Sequence, residues 1–326
     1  MKRYIVTGGA GFIGSALVRR LLAEGCRVHV IDNLSTGKLE NLEEVADQIT
    51  VYEYDLRDYE RIAPVIAGAD RVFHLGALPS VPKSILEPVP SHEVNISGTF
   101  NVLRAAVEGK VGRVVYAASS SAYGDTEVLP KVETMAPQPK SPYAVQKLLG
   151  EYYASAFASC FNLETVSLRF FNVFGPRQDP TSVYSGVLSV FMSCLLERRS
   201  PTIYGDGEQS RDFTYVEDVV NLLIKASQAN GVSGKMFNAG NGRRYTLNET
   251  WRLLQQVEGV EIPPLYGPPR PGDVRHSQAD TRAAIAELGH EPRFTFEQGL
   301  RLTLDWYRTD LASKQSKLRA GAKVLA

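Results

Sequence analysis

The 326-residue chain is poor in cysteine, carries no net charge and has no apolar run of membrane-spanning length. Its three cysteines, Cys26, Cys160 and Cys194, are odd in number, far apart and outside any Cys-x-x-Cys spacing. That excludes a disulfide framework or a zinc knuckle and suits small buried hydrophobes in a reducing compartment. Lysine plus arginine number 36, as do aspartate plus glutamate. No long-range field therefore favours nucleic acid or an acidic membrane, and an anionic ligand has to be held by local groups. The chain passes from Met1-Lys2-Arg3 straight into a strand pattern and glycines, leaving no room for a signal segment, so a soluble, cytoplasmic protein is expected. Five histidines show no metal-ligand spacing, His74 reads as a satisfied core residue, and no metal is expected.

What is present is a hydrophobic content of 44%, ample for real cores. Short Val/Ile-rich runs at 4–7, 27–31, 50–54, 71–75, 113–118 and 164–169 alternate with helical patterns. One pattern, over 15–24, puts Leu17, Leu21 and Leu22 on one side and has Gly25 as its stop. Strands separated by helices predict an α/β protein with a Rossmann-type, doubly wound parallel sheet. After Arg169 loop signals multiply, as in Tyr204-Gly205-Asp206-Gly207 and the prolines of 263–271. The expected organisation is a nucleotide-binding domain over 1–172, a smaller α/β substrate domain over 173–313 with some segments returning to the first, and a frayed tail at 314–326.

Gly8, Gly11 and Gly14 follow the first strand and open the first helix, the context a dinucleotide fingerprint requires. Such glycines allow a tight turn and close approach of backbone to pyrophosphate, and the helix N-terminus offers unpaired N–H groups to it. Asp32 closes the second strand near the offset at which an acid meets the adenosine ribose; its other reading is a turn residue before Asn33. A carboxylate there repels a 2′-phosphate, which favours NAD over NADP. Asp55, ending the next strand, either meets the adenine amino group or caps its loop.

Ser119-Ser120-Ser121 follow a buried strand at the carboxyl edge, where open α/β sheets bind ligands; by themselves they also fit plain turn chemistry. Tyr143 and Lys147, four residues apart behind Ser141-Pro142, share one helix face. A tyrosine ordinarily titrates near ~10, so the expectation is that the Lys147 ammonium and an oxidised nicotinamide together lower the phenol's proton affinity. Tyr143 then exchanges a proton with a substrate alcohol, with Ser119 hydrogen-bonded to the same oxygen.

These motifs together resemble the extended short-chain dehydrogenase/reductase family over about residues 3–307. Ser119-Ser120-Ser121-Ala122-Tyr123-Gly124-Asp125, residues 168–178 and residues 205–213 are similar to nucleotide-sugar 4-epimerases. Related dehydratases carry an Asp-Glu pair where this chain has Ser120 and Ser121, and related decarboxylases a glutamate that is absent here. The resemblance implies tightly bound NAD, oxidation at C4, rotation of the 4-keto sugar and re-reduction, in a homodimer joined through helices near 99–107 and 142–157. It extends the cofactor contacts to Phe12, Ile13, Asn33, Ser35, Thr36, Gly37, Leu56, Leu75, Gly76, Ala77 and Phe170. Asn95 is expected behind the cofactor, bonded to the backbone of the serine strand, or else as a helix cap.

On the substrate side the resemblance implies that Asn172 and the backbone of Val187 and Leu188 meet the sugar diphosphate and Arg211 and Arg270 the phosphates. Thr202 and Tyr204 meet uracil, Asp273 the uridine ribose, and Ser80, Ser120 and Ser121 the sugar. Arginines suit bidentate contact with phosphate, although Arg211 also fits an ion pair with Asp212, and Ser80 a loop hydroxyl. Ser277 stands where epimerases restricted to UDP-glucose and UDP-galactose have a large residue beside the sugar's C2. A small side chain there leaves space for an N-acetyl group, so the resemblance is strongest to UDP-N-acetylglucosamine 4-epimerases. UDP-glucose and UDP-glucuronate remain open, the latter if Arg177 or Lys83 faces a carboxylate. A 4-keto reductase that releases its cofactor and a non-catalytic nucleotide sensor are the more distant readings.

Overall fold

In the computed structural model, which describes residues 1–179, 186–269 and 274–324 with side chains to residue 312, strands and helices alternate from the first residues. The strands are β1 (Arg3–Thr7), β2 (Arg27–Ile31), β3 (Ile49–Tyr52), β4 (Arg71–His74), β5 (Val114–Ser119), β6 (Thr165–Phe170), β7 (Asn172–Phe174), β8 (Thr202–Tyr204), β9 (Ser210–Arg211), β10 (Phe213–Tyr215), β11 (Lys235–Ala239), β12 (Tyr245–Thr246) and β13 (Leu265–Gly267). The helices are α1 (Phe12–Ala23), α2 (Tyr59–Ile66), α3 (Val81–Leu86), α4 (Pro88–His92), α5 (Gly98–Glu108), α6 (Pro142–Phe161), α7 (Val187–Leu196), α8 (Val216–Gln228), α9 (Leu247–Glu258), α10 (Arg282–Leu288) and α11 (Phe296–Val324).

The central sheet is parallel and seven-stranded, in the order β11-β6-β5-β4-β1-β2-β3. Its strands read as short apolar runs because helices cover both faces. One face packs Leu17, Val18 and Leu21 of α1 with Val219, Val220 and Leu223 of α8; the other packs Ile62 and Ile66 of α2 with Val102 and Ala106 of α5. The order reverses between β1 and β4, so the ligand crevice opens at the carboxyl ends of those strands. β11, taken from residue 235 onward, pairs with β6 and returns the chain to this sheet.

The remaining strands form three two-stranded sheets: β10 with β7, β12 with β9, and β13 with β8. The first two of these meet in an aromatic cluster where Phe296 stacks on Phe213, with centroids 5.1 Å apart, and on Tyr245, at 4.4 Å. The backbone of α11 is helical as far as Val324, within the segment expected as a tail. The start of that helix is anchored by the buried Phe296, Leu300 and Leu304.

A candidate nucleotide-sugar cleft

A cleft of about 1150 Å³ runs along the carboxyl edge of the sheet from Gly8 to Ser277. Its nucleotide end is shaped by missing side chains. Gly8 has φ +69°, and a Cβ on it would lie 2.7 Å from Gly76 N; a Cβ on Gly14 would lie 2.1 Å from the Gly8 carbonyl oxygen. The turn closes only with glycine at both places. Gly11 is the N-cap of α1 and supplies no capping side chain, so the first N–H groups of the helix point into the cleft as an anion site.

Asp32 lies at the end of β2, 8% exposed, accepting from Ala10 N and Leu34 N at 2.9 Å each. Burial pushes its carboxyl up, while these two bonds favour the charged form. Gly37 packs against it, where a Cβ would sit 2.9 Å from either carboxylate oxygen. Asp55 lines the cleft and also caps its own loop, accepting from Arg57 N at 2.9 Å. The Arg57 guanidinium and the Asn33 amide hold its carboxyl down at about 2. Phe12, Ile13, Ser35, Thr36, Leu56, Leu75, Gly76, Ala77 and Phe170 line the same end.

These features fit NAD: a glycine cradle with no room for a Cβ, a capless helix N-terminus for the pyrophosphate, and a buried carboxylate at the ribose position. Asn95 differs from expectation. It is 1% exposed and does not line the cleft; its amide oxygen accepts from Leu78 N (2.8 Å), and its nitrogen donates to Leu78 O (3.2 Å) and Gln146 Oε1 (2.8 Å). It stands in a single π-helical turn at Glu93–Ser97 and braces the loop after β4 rather than the serine strand.

The chemical end joins β5 to α6. Ser141 caps α6, accepting from Ala144 N at 3.2 Å, with Pro142 in the first turn, so the helix starts where it presents Tyr143 to Ser119. Ser119 hydrogen-bonds the Tyr143 hydroxyl and receives the Ser121 hydroxyl at 2.8 Å. Lys147, 4% exposed, lies over the Tyr116 ring with Nζ 4.6 Å from its centroid.

Burial pushes Tyr143 up to about 12, the Ser119 bond opposing. Burial also pushes Lys147 down to about 8, the Glu151 carboxylate opposing. Burial and the Ser119 bond are the causes that act on the phenol, and the Lys147 charge is not among them. On these values the lysine sheds its proton before the tyrosine does, because desolvation disfavours the charged form of both.

Sequence reasoning missed a hydrogen-bonded chain beneath this end. Thr99 donates to Asn95 O (2.7 Å) and so accepts from His74 Nε2 (2.9 Å). His74 Nδ1 then accepts from Thr7 Oγ1 (2.7 Å), which in turn accepts from Gly76 N (3.1 Å). His74 is thus neutral, its pKa lowered to about 3 by burial, and it fixes the turn beside Gly8. No sequence spacing marks such contacts.

On the substrate side, Ser80, Ser120, Ser121, Asn172, Val187, Thr202, Tyr204, Arg211 and Ser277 line the cleft. Ser80 is also a cap, accepting from Lys83 N at 3.1 Å. Leu188 buries its side chain, 2% exposed, in the core, and stands in the first turn of α7, so only its backbone is placed to meet a ligand. Arg270 and Asp273 lie outside the described residues. Arg177 is turned away from the sugar end, bonded to Glu44 Oε2 at 3.0 Å and set over Trp306. The Asp212 carboxylate accepts from the backbone of Asn241, Gly242 and Ala279, a use that sequence reasoning did not find. Among the described residues no cluster of three or more His, Cys, Asp or Glu could hold a metal ion, and no helix is long and apolar enough to cross a membrane.

The sequence profile of the NAD dependent epimerase/dehydratase family matches residues 4–240. The chain is similar to the UDP-glucose 4-epimerase of Mycolicibacterium smegmatis, 36% identical over 311 residues that span 94% of this chain and 98% of that one. Two solved structures are similar throughout, each 38% identical with a TM-score of 0.91, covering 95% of this chain and 99% of the other. One is the UDP-glucose 4-epimerase of Thermotoga maritima with UDP-glucose. The other is the UDP-N-acetylglucosamine 4-epimerase of Methanobrevibacter ruminantium in complex with UDP-N-acetylmuramic acid. With the glycine cradle, Asp32 and the Ser119-Tyr143-Lys147 group on one crevice, this chain belongs to the NAD dependent epimerase/dehydratase family.

Proposed function

We propose that this chain is a UDP-sugar 4-epimerase that interconverts UDP-N-acetylglucosamine and UDP-N-acetylgalactosamine. The observation that carries the choice of sugar is Ser277, a small side chain 8% exposed on the substrate wall of the cleft. Bound NAD supplies the reversible redox chemistry that takes C4 to the ketone and back. The Tyr143 hydroxyl takes the proton of the C4 hydroxyl and returns it, and Ser119 holds that oxygen through the exchange. Lys147 lines the cleft one helical turn from Tyr143 and holds the cofactor beside it, and Ser120 and Ser121 supply neither the acid nor the base that eliminating a hydroxyl demands. The Arg211 guanidinium and the N-terminus of α7 hold the diphosphate, so the sugar can turn over while the nucleotide stays anchored.

UDP-glucose and UDP-galactose are the second reading, supported by the similarity to the Thermotoga enzyme in its UDP-glucose complex. Residues 1–172 serve NAD and residues 173–313 mainly the UDP-sugar in this proposal, with β11 returned to the first part. The protein acts in the cytoplasm as a homodimer through α5 and α6, which expose Phe100, Val145 and Tyr152. The test is to incubate dialysed enzyme, without added NAD, with UDP-GlcNAc, UDP-glucose and UDP-glucuronate separately and to identify the products. UDP-GalNAc as the fastest-formed product supports the proposal. Strict dependence on added NAD or NADPH, or turnover of UDP-glucuronate alone, refutes it.

A further inference from the structure

Asp212 has no solvent exposure and lies between β9 and β10, one residue after Arg211. Its Oδ2 accepts from Gly242 N and Ala279 N, both at 2.9 Å, and its Oδ1 from Asn241 N at 2.8 Å. Its backbone carbonyl accepts from Asn172 N at 3.0 Å. Four backbone N–H groups from three segments converge on this residue, and two of those segments form part of the substrate wall: Asn172 itself, and Ser277, two residues before Ala279.

A carboxylate suits this position because it only accepts, with about four lone-pair sites for three N–H groups. An amide would turn a donor towards at least one of them. The strap carrying Ser277 is tied to its neighbours through Ser277 N to Ser210 O (3.0 Å) and Asp280 N to Lys131 O (2.9 Å), and these bonds set its register. Asp212 adds an inner anchor with no slack. A Cβ on Gly240 would lie 2.4 Å from Ala279 Cβ and 3.1 Å from Asp212 Oδ2.

We infer that Asp212 is the positioning residue of the sugar pocket: it holds the Ser277 strap and Asn172 in one frame, and so sets how the cleft distinguishes an N-acetyl group from a hydroxyl at C2. It touches no substrate and acts through Ala279 and Asn172. The inference rests on the UDP-sugar reading proposed above.

Asp212→Asn and Gly240→Ala test it in complementary ways. The first sets a donor against a backbone donor, while the second leaves the carboxylate in place and wedges Ala279 away. kcat and KM are measured for UDP-GlcNAc and UDP-glucose, with UDP affinity by calorimetry and bound NAD by absorbance. In both variants the ratio of kcat/KM for the two sugars should shift about tenfold, mostly through KM for UDP-GlcNAc, with UDP affinity within about threefold of wild type and NAD retained. A merely structural role would lower both sugars alike. An unchanged ratio in folded Gly240→Ala, or equal losses on both sugars, overturns the inference while leaving the epimerase reading intact. A wild-type protein that epimerises neither sugar overturns the proposed function and this inference with it.

Discussion

Replacing Lys147 by methionine should abolish most activity and stabilise the fold. Lys147 is 4% exposed and its pKa falls from 10.5 to about 8, chiefly through burial. The drop of about 2.5 units corresponds to about 3 kcal/mol of preference for the neutral amine. Because the folded pKa lies below the unfolded one, the buried ammonium costs the fold most below pH 8, progressively less from 8 to 10.5, and nothing above. Methionine fills a similar volume without the charge, and Glu151 keeps its bidentate partner, Arg169, at 2.9 and 2.7 Å. With unfolding entropy near ~2 cal/mol/K per residue, 3 kcal/mol in a chain of this size raises Tm by about 4 °C at pH 7. The assay is thermal unfolding of variant and wild type from pH 7 to 10.5 with saturating NAD, read as the difference between them. That difference should shrink as pH rises through 8 towards 10.5, while turnover at pH 7 falls by about 10² to 10⁴. A variant less stable than wild type at pH 7, by a margin that does not vary with pH, would refute the reasoning.

Tyr143→Phe should leave NAD and UDP affinity near wild type and reduce kcat by at least about 10², since only the exchanging proton is lost; equal kcat would exclude Tyr143 as the acid and base. Gly14→Ala places a methyl 2.1 Å from the Gly8 carbonyl oxygen, so purified protein should contain little NAD, which absorbance of the denatured supernatant measures. Ser277→Tyr should depress kcat/KM for UDP-GlcNAc by about tenfold or more and spare UDP-glucose, as a filled pocket rejects the larger group; unchanged UDP-GlcNAc turnover would contradict the role given to Ser277.

The residues whose meaning depends on local backbone are legible in the chain itself. Gly8, Gly11 and Gly14 announce a strand-to-helix turn, Ser141-Pro142 a helix start, and Tyr143 and Lys147 a shared helix face, because each rule acts over a few residues. The alternation of Val/Ile runs with helical patterns likewise gave the parallel sheet, as only right-handed crossovers join such strands compactly. Contacts across long separations were not legible. Asn95 reaches Leu78 and Gln146, and His74 links Thr7 to Thr99. Asp212 gathers Asn172, Asn241, Gly242 and Ala279.

The sequence by itself determined the fold class, the glycine turn and the placing of Tyr143 and Lys147 on one helix face, since these follow from short-range backbone chemistry and periodicity. Only the tertiary structure decided how deeply that pair is buried and how the cleft wall that carries Ser277 is framed. Burial, unlike spacing, is a property of the packed chain: it pushes Tyr143 up to about 12 and Lys147 down to about 8.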